Sequence, residues 1–298
     1  MAGGNVTIRT NLGDHPAFAS IKSGAAGVPG AVFDFCGPKS PPAGFKDMVR
    51  RGAYDLGELA LGTYLQALTF GKPLVLLPVT IMARLQHGNL VCRSAGRFAP
   101  RELAGKRVGV RSYSQTTGIW VRSLLEETYG VAARDVTWVC TEDPHLAEYV
   151  DPTNVERIDV PSDQIATLLA AGQVDAAIFG ADLPKNDPEV VPVIPEPNLA
   201  AFSWYERHQY VPINHMLAVT QDFAERHPEL VRAIYALFVE AAAAAPVGAD
   251  GIDFFPHGFD AVRAPVEAMI EHAVNQQIIP HRFTFDEVFA PSRRLLVA

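Results

Sequence analysis

The feature that most constrains this chain is a sustained alternation of short apolar runs with segments of helical periodicity, kept up from residue 6 to beyond residue 220. Val6-Thr-Ile-Arg-Thr, Ala31-Val-Phe-Asp-Phe and Leu74-Val-Leu-Leu-Pro-Val are long enough for strands and too short for helices. Between them, Phe45 to Arg51 and Glu58 to Thr69 read as helices. Strands that are apolar throughout, rather than alternately, belong in parallel sheets covered by helices on both faces. A polar stretch, Ser94 to Lys106, interrupts the rhythm. It resumes with Val108-Gly-Val, a helix over Thr116 to Tyr129, the strand Val136-Thr-Trp-Val, a helix over Ser162 to Ala171 and the strand Asp175-Ala-Ala-Ile-Phe-Gly. Two βα series in 298 residues exceed what one core usually holds, so the expectation is an α/β protein of two lobes.

Finer signals agree with this frame. Ile165, Leu168 and Leu169 form an i, i+3, i+4 stripe behind Ser162, an N-cap candidate. Leu183 to Pro197 is proline-rich and irregular, and Tyr210-Val-Pro-Ile-Asn-His-Met-Leu-Ala-Val-Thr reads as one more strand. Pro228 stands in the first turn of a helix whose apolar face is Leu230, Ile234, Leu237 and Phe238. Further helices are expected over Phe259 to Gln276 and at the C-terminus. The cysteines, Cys36, Cys92 and Cys140, are odd in number and lie in apolar runs, so they read as reduced core residues.

Composition removes several function classes. Acidic residues outnumber basic ones, 33 to 25, and no basic run is present to track a phosphate backbone, so nucleic acid is not an expected partner. No apolar stretch approaches the roughly 20 residues of a membrane span. The N-terminus lacks the basic start and apolar run of a secretory signal, so the expected location is the cytoplasm. No phosphate-binding loop, Gly-x-Ser-x-Gly, His-Glu-x-x-His or Cys-x-x-Cys occurs.

Three segments together carry a resemblance: Tyr54-Asp-Leu-Gly-Glu-Leu-Ala-Leu-Gly-Thr-Tyr-Leu, Leu103-Ala-Gly-Lys-Arg-Val-Gly-Val-Arg-Ser-Tyr-Ser-Gln-Thr-Thr-Gly-Ile-Trp-Val-Arg and Val211-Pro-Ile-Asn-His. With the Ser162 to Ile178 segment, which resembles type II periplasmic-binding-protein folds in general, they are similar to the 4,5-dihydroxyphthalate decarboxylase family over most of residues 5 to 245. The resemblance implies a type II periplasmic-binding-protein-like fold with a cleft between lobes. One lobe would be discontinuous, 1–93 and 207–298, and the second, 94–206, inserted, with chain crossings near 93 and 206. It also implies a carboxy-lyase, a non-oxidative decarboxylase of a hydroxylated aromatic, phthalate-like or heteroaromatic, carboxylic acid. The alternative is a solute-binding protein for an aromatic carboxylate, with the same cleft and no chemistry.

Releasing carbon dioxide from such a ring requires a proton at the carbon bearing the carboxylate and a place for the developing charge. The resemblance keeps His87, and His215 lies mid-strand, so these are the candidate proton donors; as bland alternatives they are a hinge histidine and a core histidine. Glu58 either favours a helix N-terminus, or orients a histidine, or completes a metal site with His87 and His215, a ligand combination that a divalent ion accepts. Such an ion is the cofactor this residue set leaves open. Asp14 and His15 follow the first strand and are candidate substrate contacts, with Asp14 alternatively a cap. Tyr113, Gln115, Thr116 and Thr117 join a strand to a helix start, whose N–H groups suit a carboxylate. Arg84 and Arg111 are the clamp candidates. At both positions the chain departs from the family pattern, Arg84 being shifted and Arg111 standing where proline is usual. The expected partner is a small aromatic acid; a homo-oligomer is neither implied nor excluded.

Overall fold

The computed structural model describes residues 5–161, 164–180, 182–184, 187–248 and 250–297. The first βα series supplies β1 (Val6–Asn11), α1 (Ala19–Lys22), β2 (Ala31–Asp34), α2 (Phe45–Arg51), β3 (Leu56–Ala60), α3 (Leu61–Thr69) and β4 (Leu74–Ala83). The second supplies β5 (Leu90–Arg93), β6 (Arg107–Val110), α4 (Thr116–Tyr129), β7 (Thr137–Cys140), β8 (Val155–Arg157), α5 (Ile165–Ala170), β9 (Ala176–Ile178), β10 (Val190–Pro192) and α6 (Pro197–His208). The chain then returns through β11 (Ile213–Thr220), α7 (Gln221–Arg226), α8 (Pro228–Ala243), α9 (Phe259–Asn275) and α10 (Phe285–Leu296).

Two mainly parallel sheets result, flanked by helices. The first has the order β2-β1-β3-β11-β4 and the second β10-β5-β9-β6-β7-β8. Read from β7, the second runs β7-β6-β9-β5-β10, the same topology as the first. In each sheet one strand is antiparallel to both neighbours: β11 between β3 and β4, and β5 between β9 and β10. These are the strands that the chain enters on changing sheet. Because β5 already pairs in the second sheet, the first passage lies between Ala83 and Leu90, and the return lies between His208 and Ile213. The passages run side by side, with the Arg84 N–H bonded to the Pro212 carbonyl at 3.1 Å.

Burial explains the strand assignments. All five residues of β3 and the first eight of β4 are buried. Pro78 is tolerated in β4 because that strand is the sheet's edge. Its outer side is covered by the segment before α9, where Thr80 donates to Pro256 and Gly258 donates to Pro78. On α8 the buried face is Val231, Ile234, Phe238 and Ala242, with Leu230 and Leu237 packed at its margin.

Several expectations require correction. The helix foreseen from Glu58 starts only at Leu61, because Leu56 to Ala60 pairs on both sides with β1 and β11. The irregular stretch ending at Pro197 gives way to α6, which has proline at its first position. Cys36 is exposed, while Cys92 and Cys140 are buried, and all three are free. Ser162 lies outside the described residues. Among the described residues, no helix is long and apolar enough to cross a membrane.

Candidate active site

Glu58 lies mid-strand in β3 and is 1% exposed. Its Oε1 accepts the Gly13 N–H at 2.7 Å and bonds His15 Nε2 at 2.8 Å, while Oε2 bonds His215 Nδ1 at 2.6 Å. The register accounts for the last contact. Glu58 pairs with Leu217, and His215 is two residues along β11, so both side chains leave the same face of the sheet. Gly13 is needed for the approach, since a Cβ there would lie 3.0 Å from Oε1 and 3.0 Å from Pro41. Burial alone would raise the carboxyl pKa, but the hydrogen bonds and charges of His15 and His215 outweigh it and hold Glu58 well below the usual carboxylate range. An ionised carboxylate only accepts, so His215 carries a proton on Nδ1 and His15 on Nε2. His215 Nε2 and His15 Nδ1 remain available for proton transfer.

Two arginines form a second group. Arg84, directly after β4, donates from Nη2 to Thr117 Oγ1 at 3.0 Å. Thr117 also accepts from Asn214 at 3.1 Å, and Asn214 accepts from Gln86 at 2.7 Å, so the two chain passages and the start of α4 share one network. Burial lowers the Arg84 pKa, Asp182 opposes the shift, and Arg111 adds to it. Among the described residues Arg111 has only a loose ion pair, 3.9 Å from Glu142. Among the described residues, Arg84 and Arg111 each keep a buried Nε with no acceptor, and Gln115 a buried Oε1 with no donor. Unpaired guanidinium N–H groups in a confined space are suited to a carboxylate.

The other candidates are placed differently. His87 is not beside Glu58 and His215: it is 4% exposed in a pocket with Trp120, Glu127, Trp204 and His272, edge-on to Trp204 at 6.3 Å. Burial, helped by Arg207 and opposed by Glu127, lowers its pKa to about 4. The turn at Gln86, fixed by Asn214 and Asn89, sends the histidine toward α6 instead. Asp14 is exposed and paired with Lys22 at 3.1 Å rather than capping a helix. Tyr113 is buried beneath Arg122, 4.0 Å from its ring, and against Trp138, so its side chain belongs to the core. Thr116 accepts the Gly62 N–H at 3.1 Å, tying α3 to α4. Among the described residues no group of three or more His, Cys, Asp or Glu is disposed to hold a metal ion. The set Glu58, His87 and His215 is not assembled, because His87 lies in a different pocket.

Sequence reasoning missed His145 and Phe45. His145, in the stretch after β7, bonds Thr63 Oγ1 through Nδ1 at 2.7 Å. The Phe45 ring meets His145 edge-on at 5.6 Å and His215 at 5.1 Å. The only local signal for His145 was a histidine after proline just past a strand end.

The scan against models of known families gives no match. Curated proteins do match. 4,5-Dihydroxyphthalate decarboxylase of Comamonas testosteroni is 36% identical over 208 residues, 66% of this chain and 63% of that protein. The enzyme of the same name from Pseudomonas putida is 32% identical over 179 residues, 54% of this chain and 67% of that protein. The chain belongs to the 4,5-dihydroxyphthalate decarboxylase family. The match spans less than two thirds of the length of the Comamonas decarboxylase. Outside the family, the periplasmic aliphatic sulphonate binding protein SsuA of Escherichia coli superposes with a TM-score of 0.60 over 94% of this chain and 91% of that one. At 13% identity that likeness concerns the fold alone.

Proposed function

We propose that the protein is a non-oxidative decarboxylase that protonates the ring of a hydroxylated aromatic carboxylic acid and releases CO2, with the substrate bound between the two sheets. The observation that carries this reading is the His15–Glu58–His215 group; two arginines with an unpaired buried Nε supply the candidate carboxylate clamp. The names of the two curated relatives support a dihydroxyphthalate as the kind of ring to expect.

In this reading Arg84 and Arg111 hold a carboxylate, aided by Gln115 and Thr117. His215, fixed through Nδ1 by Glu58, delivers a proton from Nε2 to the carbon that carries the leaving carboxylate. The new C–H bond interrupts the aromatic system. Breaking the carbon–carboxylate bond returns its electron pair to the ring and frees CO2, and His215 is reprotonated from solvent. Glu58 fixes the imidazole and stabilises its charged form, and His15 shares that carboxylate. No step requires a metal ion.

A binding protein of the same fold would return its ligand unchanged, so product analysis separates the two readings. Purified protein is incubated with hydroxylated phthalates, benzoates and pyridine carboxylates, with and without chelator, and CO2 and ring products are measured. Turnover of at least one member, lost about 100-fold or more in His215→Ala with the fold intact, is the expected outcome. Recovery of every compound unchanged, or full activity in His215→Ala, overturns the proposal.

A further inference from the structure

The connection between β7 and β8, residues 141–154, is long for a link between strands and contains no helix or strand, which is the profile of a functional loop. It starts at the arginine clamp. The N–H groups of Thr141 and Glu142 donate to the Arg111 carbonyl at 3.1 and 2.6 Å, and the Glu142 carboxylate lies 3.9 Å from the Arg111 guanidinium. Its middle then crosses to the first sheet. His145 bonds Thr63 of α3 at 2.7 Å and meets Phe45 edge-on, and Phe45 in turn meets His215 at 5.1 Å. The loop thus runs from Arg111 to the neighbour of His215 and closes one side of the space between them.

The ties that hold it are light. Arg50 of α2 donates to the carbonyls of Pro144 and His145 at 2.7 Å each, and Lys72 pairs with Glu148, which is 42% exposed. Surface ties of this kind contribute little each. Leu146 and Tyr149 are buried, but a cavity of about 640 Å³ lined by Arg50, Ala147, Tyr149 and Val155 lies between the loop, α2 and β8. The joint at α4 is different in kind. Trp120 donates to the Ile213 carbonyl at 2.9 Å, and Gln276, 3% exposed, bonds Arg122, Ile119 and Ser123 within the core. A deep joint beside a lightly tied loop makes the loop the part that gives way first.

We propose that residues 141–152 are a lid, latched by Arg50, Thr63 and Lys72, that swings clear for a ligand to reach Arg84, Arg111 and His215. The closed lid is the resting state, because opening exposes Leu146 to water, and the open form is a minor one of about 1% of molecules. Lid opening then limits ligand capture. The inference rests on the site proposed above, but not on the chemistry done there.

Hydrogen exchange of the whole chain, followed by mass spectrometry, tests the latch. Exchange in 141–152 should quicken about tenfold in Arg50→Met and about threefold in Lys72→Met, with α4 as in the wild type. Unchanged exchange in both variants, or equal acceleration in α4, overturns the lid. A reversible bridge tests the gating. Lys72→Cys/Glu148→Cys, in a Cys36→Ser background, is cross-linked with 1,2-ethanediyl bismethanethiosulfonate, and dithiothreitol removes the link. Uptake of 4,5-dihydroxyphthalate, followed by tryptophan fluorescence, should be at least tenfold slower in the bridged protein and recover on reduction. Uptake at full rate through the bridged form overturns the inference, and the exchange result decides even where this probe is not a ligand. Carbon dioxide release is scored separately. Gated uptake without CO2 release leaves the lid standing and removes the decarboxylase; CO2 release that the bridge does not slow does the reverse.

Discussion

Glu58 concentrates the chemistry of the site in one side chain. Its two oxygens receive three donors, so Glu58→Gln, which keeps the size, puts an amide N–H against an imidazole N–H. Turnover should fall about 100-fold or more. The pH profile of stability should change as well. The folded-state pKa of Glu58 is depressed, so its contribution is present above the unfolded value of about 4.3 and is lost as pH falls through the folded one. Urea unfolding of Glu58→Gln should therefore depend less on pH below about 4.3 than the wild type; parallel profiles would refute the charged, doubly held carboxylate. His87 gives the contrast. Because it packs on Trp204 away from Glu58, His87→Gln should keep turnover within about tenfold of wild type, whereas His215→Ala should not. Both histidines could be named from the sequence, but only pairing partners decide which one meets Glu58.

At the scale of elements, the boundary between β3 and α3 shows why local reading misplaced Glu58. Leu-Gly-Glu-Leu-Ala-Leu has a periodicity that suits either structure, and the choice is made by β1 and β11, which flank it in the sheet. β11 is separated from β3 by the whole second series, so nothing within a local window reports it. The same holds for the Arg84–Thr117–Asn214–Gln86 network, in which the passages and α4 meet. Thr117→Val preserves shape and removes the acceptor shared by Arg84 and Asn214. Leaving two buried donors short of an acceptor should cost about 1–3 kcal/mol in urea unfolding. If Arg84 is aimed by this bond, KM should rise more than kcat falls, and unchanged kinetics would remove Arg84 from the binding role.

The whole molecule repeats one strand order twice, yet the sequence carries no visible repeat, because the order arises from pairing between distant segments. The alternation of strand and helix was legible, since it depends on local burial. The joining of the lobes was not. It depends on contacts such as Gln276 after α9, which accepts from Arg122 at 2.6 Å and donates to Ser123 at 2.8 Å, and on the docking of His145 against Thr63. These joints also contain neutral histidines, buried at His87 and half-buried at His145 and His272, which tie the integrity of the molecule to pH. Burial lowers the pKa of His87 and His272 to about 4 and of His145, with nearby cations, to about 3, from an ordinary value of 6.5. Between about 6.5 and 4 the unfolded chain binds protons that the folded chain refuses. Stability is therefore full above 6.5 and declines as pH falls through this window, by at most about 1.4 kcal/mol per pH unit for each histidine. His272→Phe retains an aromatic ring against Trp120, 5.4 Å away in the native contact, and removes one of these groups. Its urea midpoint should fall less steeply than that of the wild type between pH 6.5 and 4, and an equal slope would show that His272 already takes up its proton in the folded state.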